Sequence, residues 1–394
     1  MANLAVRLNS KAALAVRKGH PWVFSDSIVK YSREAVAGDT VIAFDQGGKN
    51  WLGAGLYDPD SAVRVRILTI RKTDPPVGEE LFRVLLKRAL ERRLDQIPPE
   101  TDGWRILNGE SDSFSGLVAD KYADTAVLKI YSAAWIRHIP VLRQLLKQEV
   151  PGVEQTVLRF SREMQKLPGC AEEGRADLVE FLENGIRFQA DLLHGQKTGF
   201  FLDQRDNRME VRKLAAGKRV LNVFSFSGGF SLAAAAGGAA EVVSVDLDGH
   251  ALEACAEHFR LNSGNPSIAK CRHTERKGDA FEIMRDLAGK RETFDIVIVD
   301  PPSFAKSKAE VPAALNTYSR LAALAVKLCA PGGTLVFASC SSRVHADELF
   351  ERVHKTASAA GRPLQEWSRT SHAFDHPALF AESSYLKCMY SKVR

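Results

Sequence analysis

No apolar run in the sequence approaches the roughly 20 residues that span a bilayer. The first residues, Met1-Ala2-Asn3-Leu4-Ala5-Val6-Arg7-Leu8, lack the long apolar core of a secretory signal. A cytoplasmic protein with no membrane partner is therefore expected. Cysteine is scarce, at six in 394 residues. Cys170, Cys255, Cys271, Cys329, Cys340 and Cys388 are scattered, and none forms a C-x-x-C pair. Neither a disulfide framework nor a zinc site is suggested, so no metal is expected. Internal repeats and low-complexity segments are absent. The three-glycine dinucleotide fingerprint is missing as well, because the turn at Ser225–Ser231 carries only Gly228 and Gly229.

What is present is an ordinary globular composition, 45% hydrophobic and 26% charged. The length suggests about two or three domains. A net charge of +6 leans towards a polyanionic partner.

Residues 1–75 read as a small β-rich module. Short apolar runs such as Val41-Ile42-Ala43-Phe44 and Trp51 to Tyr57 are separated by Gly, Asp and Pro. The run Val63 to Ile70 alternates, which puts Arg64 and Arg66 on one strand face. With Arg7, Lys11, Arg17 and Lys18 they form either a solvated basic face or a surface for RNA phosphates. The string Gly19-His20-Pro21-Trp22-Val23-Phe24-Ser25 and its neighbouring strands resemble a PUA domain, a small RNA-binding barrel. Residues 76–185 read as an α+β middle domain. It has a helix from Glu79, a strand at Trp104–Leu107, a hairpin from Leu117 and a helix from Trp135. Residues 186–394 read as the catalytic domain.

That last domain is organised around Val220–Phe304. An apolar run, Val220 to Phe224, leads into the turn. An Ala-rich helix follows, then a second run, Val242 to Val245, ending on Asp246. This is strand, Gly-containing turn, helix and strand, with an acid at the second strand tip. Glycine lets backbone approach a nucleotide closely, and the acid can accept hydrogen bonds from ribose hydroxyls. A third run, Phe294 to Val299, ends on Asp300-Pro301-Pro302-Ser303-Phe304. This motif has no use in a dehydrogenase. It resembles motif IV of class I S-adenosylmethionine-dependent methyltransferases acting on nucleobases. There the prolines stiffen a loop that faces the base with an acid and an aromatic, which nominates Asp300, Pro301 and Phe304. A core role is the competing reading for Phe304.

The resemblance nominates cofactor contacts. Asp246 is the ribose candidate, with Asp248 as its rival, and Asp279 is the adenine candidate. Phe224, Ser225 and Gly228 line the methionine end. Upstream, the string Lys197-Thr198-Gly199-Phe200-Phe201-Leu202-Asp203-Gln204-Arg205 reads as a lid over the cofactor or as a polar helix N-terminus. In the lid reading Lys197 and Arg205 meet a carboxylate and Asp203 an ammonium, with Thr198 and the flexible Gly199 also among the cofactor contacts.

Cytosine C5 is a poor nucleophile. A thiolate added at C6 makes C5 enamine-like, so methylation at C5 calls for a cysteine near the base. Cys340 sits at the predicted C-terminal end of a parallel strand, Thr334 to Ser339, where such sheets place their active sites. The Ser339-Cys340-Ser341 context resembles motif VI of RNA cytosine-5 methyltransferases, whose cysteine is the nucleophile. Reaching C5 and C6 requires the base to be extruded.

Together these motifs, with Gly109-Glu110-Ser111-Asp112, resemble the bacterial 23S rRNA cytosine-5 methyltransferase family that carries an N-terminal PUA domain. The likeness covers nearly the whole chain. It implies an α/β fold: a Rossmann-like class I methyltransferase domain preceded by a small β-barrel PUA domain and an α+β middle domain. It also implies S-adenosylmethionine as cofactor, 23S rRNA as partner, and Cys340 and Asp300 as catalytic residues. One departure stands out. Where another group of these enzymes has a second cysteine beside the motif IV prolines, this chain has Ser303. Two alternatives remain, an N2-guanine rRNA methyltransferase and a non-catalytic RNA-binding assembly factor. A homodimer is left open.

Overall fold

A computed structural model describes residues 3–175 and 177–394. Packing divides the chain into two units. The first holds residues up to 184 together with 190–202 and 374–380. The second holds 185–189, 203–373 and 381–394.

In the first unit, β1 (Leu4–Leu8), β2 (Trp22–Phe24), β3 (Ile28–Tyr31), β4 (Thr40–Phe44), β5 (Trp51–Tyr57) and β6 (Val63–Thr69) form one sheet. Its order is β2-β6-β5-β4-β1-β3. Alternation along β1 and β4 sends Leu4, Val6, Leu8, Val41 and Ala43 into a core closed by α1 (Ser10–Arg17). Arg66 does not join a basic surface. It is 7% exposed, and its Nε donates to the Ser132 hydroxyl at 2.8 Å.

The same unit contains α2 (Glu79–Glu91), β7 (Trp104–Asn108), β8 (Leu117–Tyr122), β9 (Thr125–Ile130), α3 (Ile139–Glu149), β10 (Gln155–Phe160) and β11 (Val179–Glu183). The four strands from β7 to β10 form a sheet in the order β10-β9-β8-β7. One face of α2 buries Leu81, Phe82, Leu85, Leu86, Ala89 and Leu90, the stripe its periodicity predicts. Trp22 donates from Nε1 to Glu110 Oε1 at 3.1 Å, so the two short motifs around these residues meet.

The packing divides the chain after residue 184, with two short segments of the later chain returning to the first unit. Residues 374–380 pack with the first unit because Asp375 is buried there. Its carboxylate accepts the Arg105 N–H at 2.8 Å, and its carbonyl accepts Arg93 Nη2 at 2.9 Å.

After β12 (Ile186–Ala190) the second unit builds a seven-stranded sheet. Its strands are β13 (Arg219–Val223), β14 (Glu241–Asp246), β15 (Arg272–Lys277), β16 (Phe294–Val299), β17 (Cys329–Ser339), β18 (Leu364–Thr370) and β19 (Lys387–Val393). The order is β15-β14-β13-β16-β17-β19-β18. The first five strands run parallel, and β19 runs antiparallel to β17 and β18. Helices are α4 (Arg205–Leu214), α5 (Gly229–Ala236), α6 (Gly249–Leu261), α7 (Pro266–Lys270), α8 (Ala280–Gly289), α9 (Val311–Leu328) and α10 (Ala346–Ala359). Strands β13, β14 and β16 are largely buried and mostly apolar because helices cover both faces. Leu315, Leu321 and Leu328 of α9 are fully or almost fully buried, each contributing about 1.5–3 kcal/mol.

Pro331-Gly332-Gly333 does not form a separate turn. It lies inside β17 as a register shift, with Gly332 at φ +73°.

Candidate active site

Strand order reverses between β13 and β16, and open parallel sheets bind ligands beyond the carboxyl ends of such strands. The chain leaving β13 takes positive φ at Phe224 (63°), Phe226 (47°) and Gly228 (79°). For phenylalanine this is strained backbone, which persists only where surroundings over-determine it. Three bonds do so. Ser225 N–H donates to Val245 O at 2.9 Å, Phe226 N–H to Asp246 Oδ2 at 2.7 Å, and Gly228 N–H to Ser225 O at 2.9 Å. The Ser225 hydroxyl is buried with no hydrogen-bond partner among the described residues.

Packing alone requires glycine at position 228. A Cβ there would stand 2.2 Å from Cys255 Sγ on α6. Beneath that contact Cys255, His273 and Glu275 lie within 4.8 Å of one another. No such cluster is apparent from sequence spacing. Burial pushes the Cys255 thiol up to about 12 and His273 down to about 4, and the Ser244 hydroxyl meets His273 Nε2 at 2.8 Å.

Asp246 ends β14 partly exposed, and its Oδ1 accepts the Asp248 N–H at 2.9 Å. Asp248 instead caps α6, accepting from His250 N–H at 3.0 Å. The two acids therefore have separate jobs. Gly278 N–H donates to Asp246 O at 2.9 Å, which brings the ends of β14 and β15 together. Asp279 follows, exposed, and caps α8 through Glu282 N–H at 3.1 Å.

Asp300 follows β16 and Cys340 follows β17, on neighbouring parallel strands. The Cys340 thiol lies 3.9 Å from the Pro301 carbonyl. Cys340 is partly exposed, and the other five cysteines are buried. Asp300 Oδ2 accepts Gln204 Nε2 at 2.9 Å. Gln204 Oε1 in turn accepts Asn207 Nδ2 at 2.6 Å, and Asn207 Oδ1 accepts the Thr370 hydroxyl at 2.5 Å. This chain of donors fixes both amide orientations and presents an N–H to Asp300. Phe304 is partly buried against the apolar core. Its ring packs against Tyr318 with centroids 5.1 Å apart. The Tyr318 hydroxyl meets Ser339 Oγ at 2.8 Å, and burial pushes its pKa up to about 12. Ser303 donates to Ala305 O at 3.2 Å.

Three side chains of the upstream polar string are buried. Thr198, Asp203 and Arg205 are 1%, 2% and 0% exposed. In the first unit, Thr198 donates to Asp120 Oδ2 at 2.6 Å and meets the Tyr122 hydroxyl at 3.0 Å. There too Lys129 Nζ donates to Lys197 O at 2.6 Å, Lys197 Nζ lies 4.5 Å from the Phe201 ring, and Gly199 is buried at φ +134°. In the second unit, Asp203 Oδ2 accepts the Tyr385 hydroxyl at 2.6 Å, and Arg205 Nε lies 3.5 Å from Asp206 Oδ1. Packing ties these side chains down.

Sequence reasoning missed Gln204, Asn207, Tyr318 and Lys387. The available signals were the polar string before α4 and a buried lysine at the start of the final strand. No helix among the described residues is long and apolar enough to cross a membrane.

Residues 159–365 match the family described as S-adenosylmethionine-dependent methyltransferase, and residues 6–70 match a PUA-like domain. The ribosomal RNA large subunit methyltransferase of Deinococcus radiodurans is 41% identical over 403 residues, covering 98% of this chain and 97% of that protein. Ribosomal RNA large subunit methyltransferase I of Aeromonas salmonicida is 36% identical over 386 residues, covering 95% and 96%. The crystal structure of SMU.776 complexed with SAH shares the fold at TM-score 0.81, with 23% identity and coverage of 99% and 100%.

Proposed function

The chain belongs to the S-adenosylmethionine-dependent methyltransferase family, and from that premise we propose that it methylates C5 of a cytosine in 23S rRNA through a Cys340 adduct. The carrying observation is the partly exposed thiol of Cys340 beside Pro301, with Asp300 one residue away. The rRNA substrate is supported by the names of the relatives, the PUA-like match and the net charge of +6.

The strand tips fit the cofactor. The Ser225 hydroxyl lacks a partner among the described residues, and two carboxylates stand at adjacent strand ends. Asp246 would take the ribose hydroxyls, Asp279 the adenine amine, and the Phe224–Gly228 turn the methionine end. Bound there, S-adenosylmethionine supplies an electrophilic methyl group on a positively charged sulfur.

The Cys340 thiolate adds to C6 of an extruded cytosine, and electron density moves to C5. Asp300 hydrogen-bonds the N3 and N4 edge of the ring, kept in place by Gln204. After C5 takes the methyl group, loss of the C5 proton expels the sulfur. Ser303 is a poor candidate for that base, since its hydroxyl is given to Ala305. A water held by Asp300 is the better one.

The test is nucleoside mass spectrometry after incubation with labelled S-adenosylmethionine and protein-free 23S rRNA. Labelled 5-methylcytidine is expected, and none from Cys340→Ala. Labelled N2-methylguanosine from both proteins would hand the function to the guanine reading. No labelled nucleoside, with no cofactor binding in calorimetry, would favour an assembly factor.

A further inference from the structure

Lys387 occupies a place where a cation is costly. It begins β19 between the buried Leu386 and Cys388 and is 7% exposed. Antiparallel register sets it opposite Ser339, the residue before Cys340. Its Nζ donates to the carbonyls of Ser341 and Val344 at 2.5 and 2.6 Å. Two of its three N–H groups therefore clamp the turn that leaves the cysteine. Burial pushes the ammonium down to about 8, and the charge of Cys340 opposes that shift.

We propose that Lys387 is a positioning residue for Cys340: its ammonium fixes the Ser341–Val344 turn and holds the sulfur as a thiolate ready to attack. The inference rests on Cys340 being the nucleophile. A nearby cation favours thiolate over thiol. The thiol proton leaves to solvent and Lys387 stays protonated, so no further reactant is needed.

Tyr318 also feels the charge of Cys340 but does not replace Lys387. Tyr318 on α9 is held neutral by burial, which takes it to about 12. Asp300 beyond β16 carries the same sign as the thiolate and disfavours it. Lys387 supplies the balancing charge.

The test uses the full chain as wild type, Lys387→Met and Lys387→Arg, with Cys340→Ala as blank. Alkylation of Cys340 by iodoacetamide is followed against pH by peptide mass spectrometry, with no RNA present. For Lys387→Met the midpoint is expected about one unit higher, a loss of about tenfold in thiolate at neutral pH. An unchanged midpoint in a folded Lys387→Met protein overturns the proposal. If that variant does not fold, Lys387→Arg decides. Arginine stays charged, so the fall in methyl-transfer rate above about pH 8 expected for wild type should move out of range. A fall that stays where it is in wild type overturns the proposal too. Retained methylation by Cys340→Ala would remove the premise, and it is read separately from the alkylation curve.

Discussion

At Gly228 two constraints meet, a φ of +79° and a contact that leaves no room for Cβ beside Cys255. Gly228→Ala is expected to cost about 2–4 kcal/mol, from left-handed strain plus overpacking. Urea unfolding midpoints check this, and adding Cys255→Ala should recover the packing share only. The sequence showed a glycine in the turn but not its contact with Cys255, which lies on the next helix but one. Cys340 was legible because its position at a strand end follows from local pattern. Gln204 and Lys387 were not, since each takes its meaning from partners far along the chain.

Among the elements, the buried strands β13, β14 and β16 could be read from their mostly apolar runs. The strands β15 and β18 could not. They lie at the two sheet edges, and their sequences, Arg272–Lys277 and Leu364–Thr370, are charged or alternating. Edge strands carry charge to avoid pairing with other chains, which erases the apolar signal. The strand β15 also brings a pH dependence. Burial lowers His273 from 6.5 to about 4, and its ring stacks on Phe259 at 3.8 Å. The folded state therefore resists a proton that the unfolded chain accepts. Stability from this group is complete above about pH 6.5 and is lost as pH falls towards 4, amounting to about 3 kcal/mol. Thermal unfolding between these pH values should show that loss, and His273→Asn should flatten it. His258, also lowered by burial, adds in the same direction.

For the whole molecule, class and layer order were legible because helices and strands alternate after residue 200. The return of residues 374–380 to the first unit was not, since a seven-residue excursion has no periodicity to reveal it. Asp375 carries that return. It is fully buried, accepting the Arg105 N–H and bonded to His376 Nδ1 at 2.8 Å. Asp375→Ala would leave buried donors without their acceptor and is expected to cost about 2–4 kcal/mol. Limited proteolysis should then cut first within residues up to 184.

The central claim is a bond between Cys340 and C6 of cytosine. It is tested most directly with rRNA in which cytidine is replaced by 5-fluorocytidine. Fluorine leaves no C5 proton to lose, so the adduct cannot collapse. The account predicts a covalent protein–RNA complex, formed only with S-adenosylmethionine present, whose cross-linked peptide contains Cys340. Methylation of ordinary rRNA by Cys340→Ala, with no complex trapped on the fluorinated RNA, would contradict it.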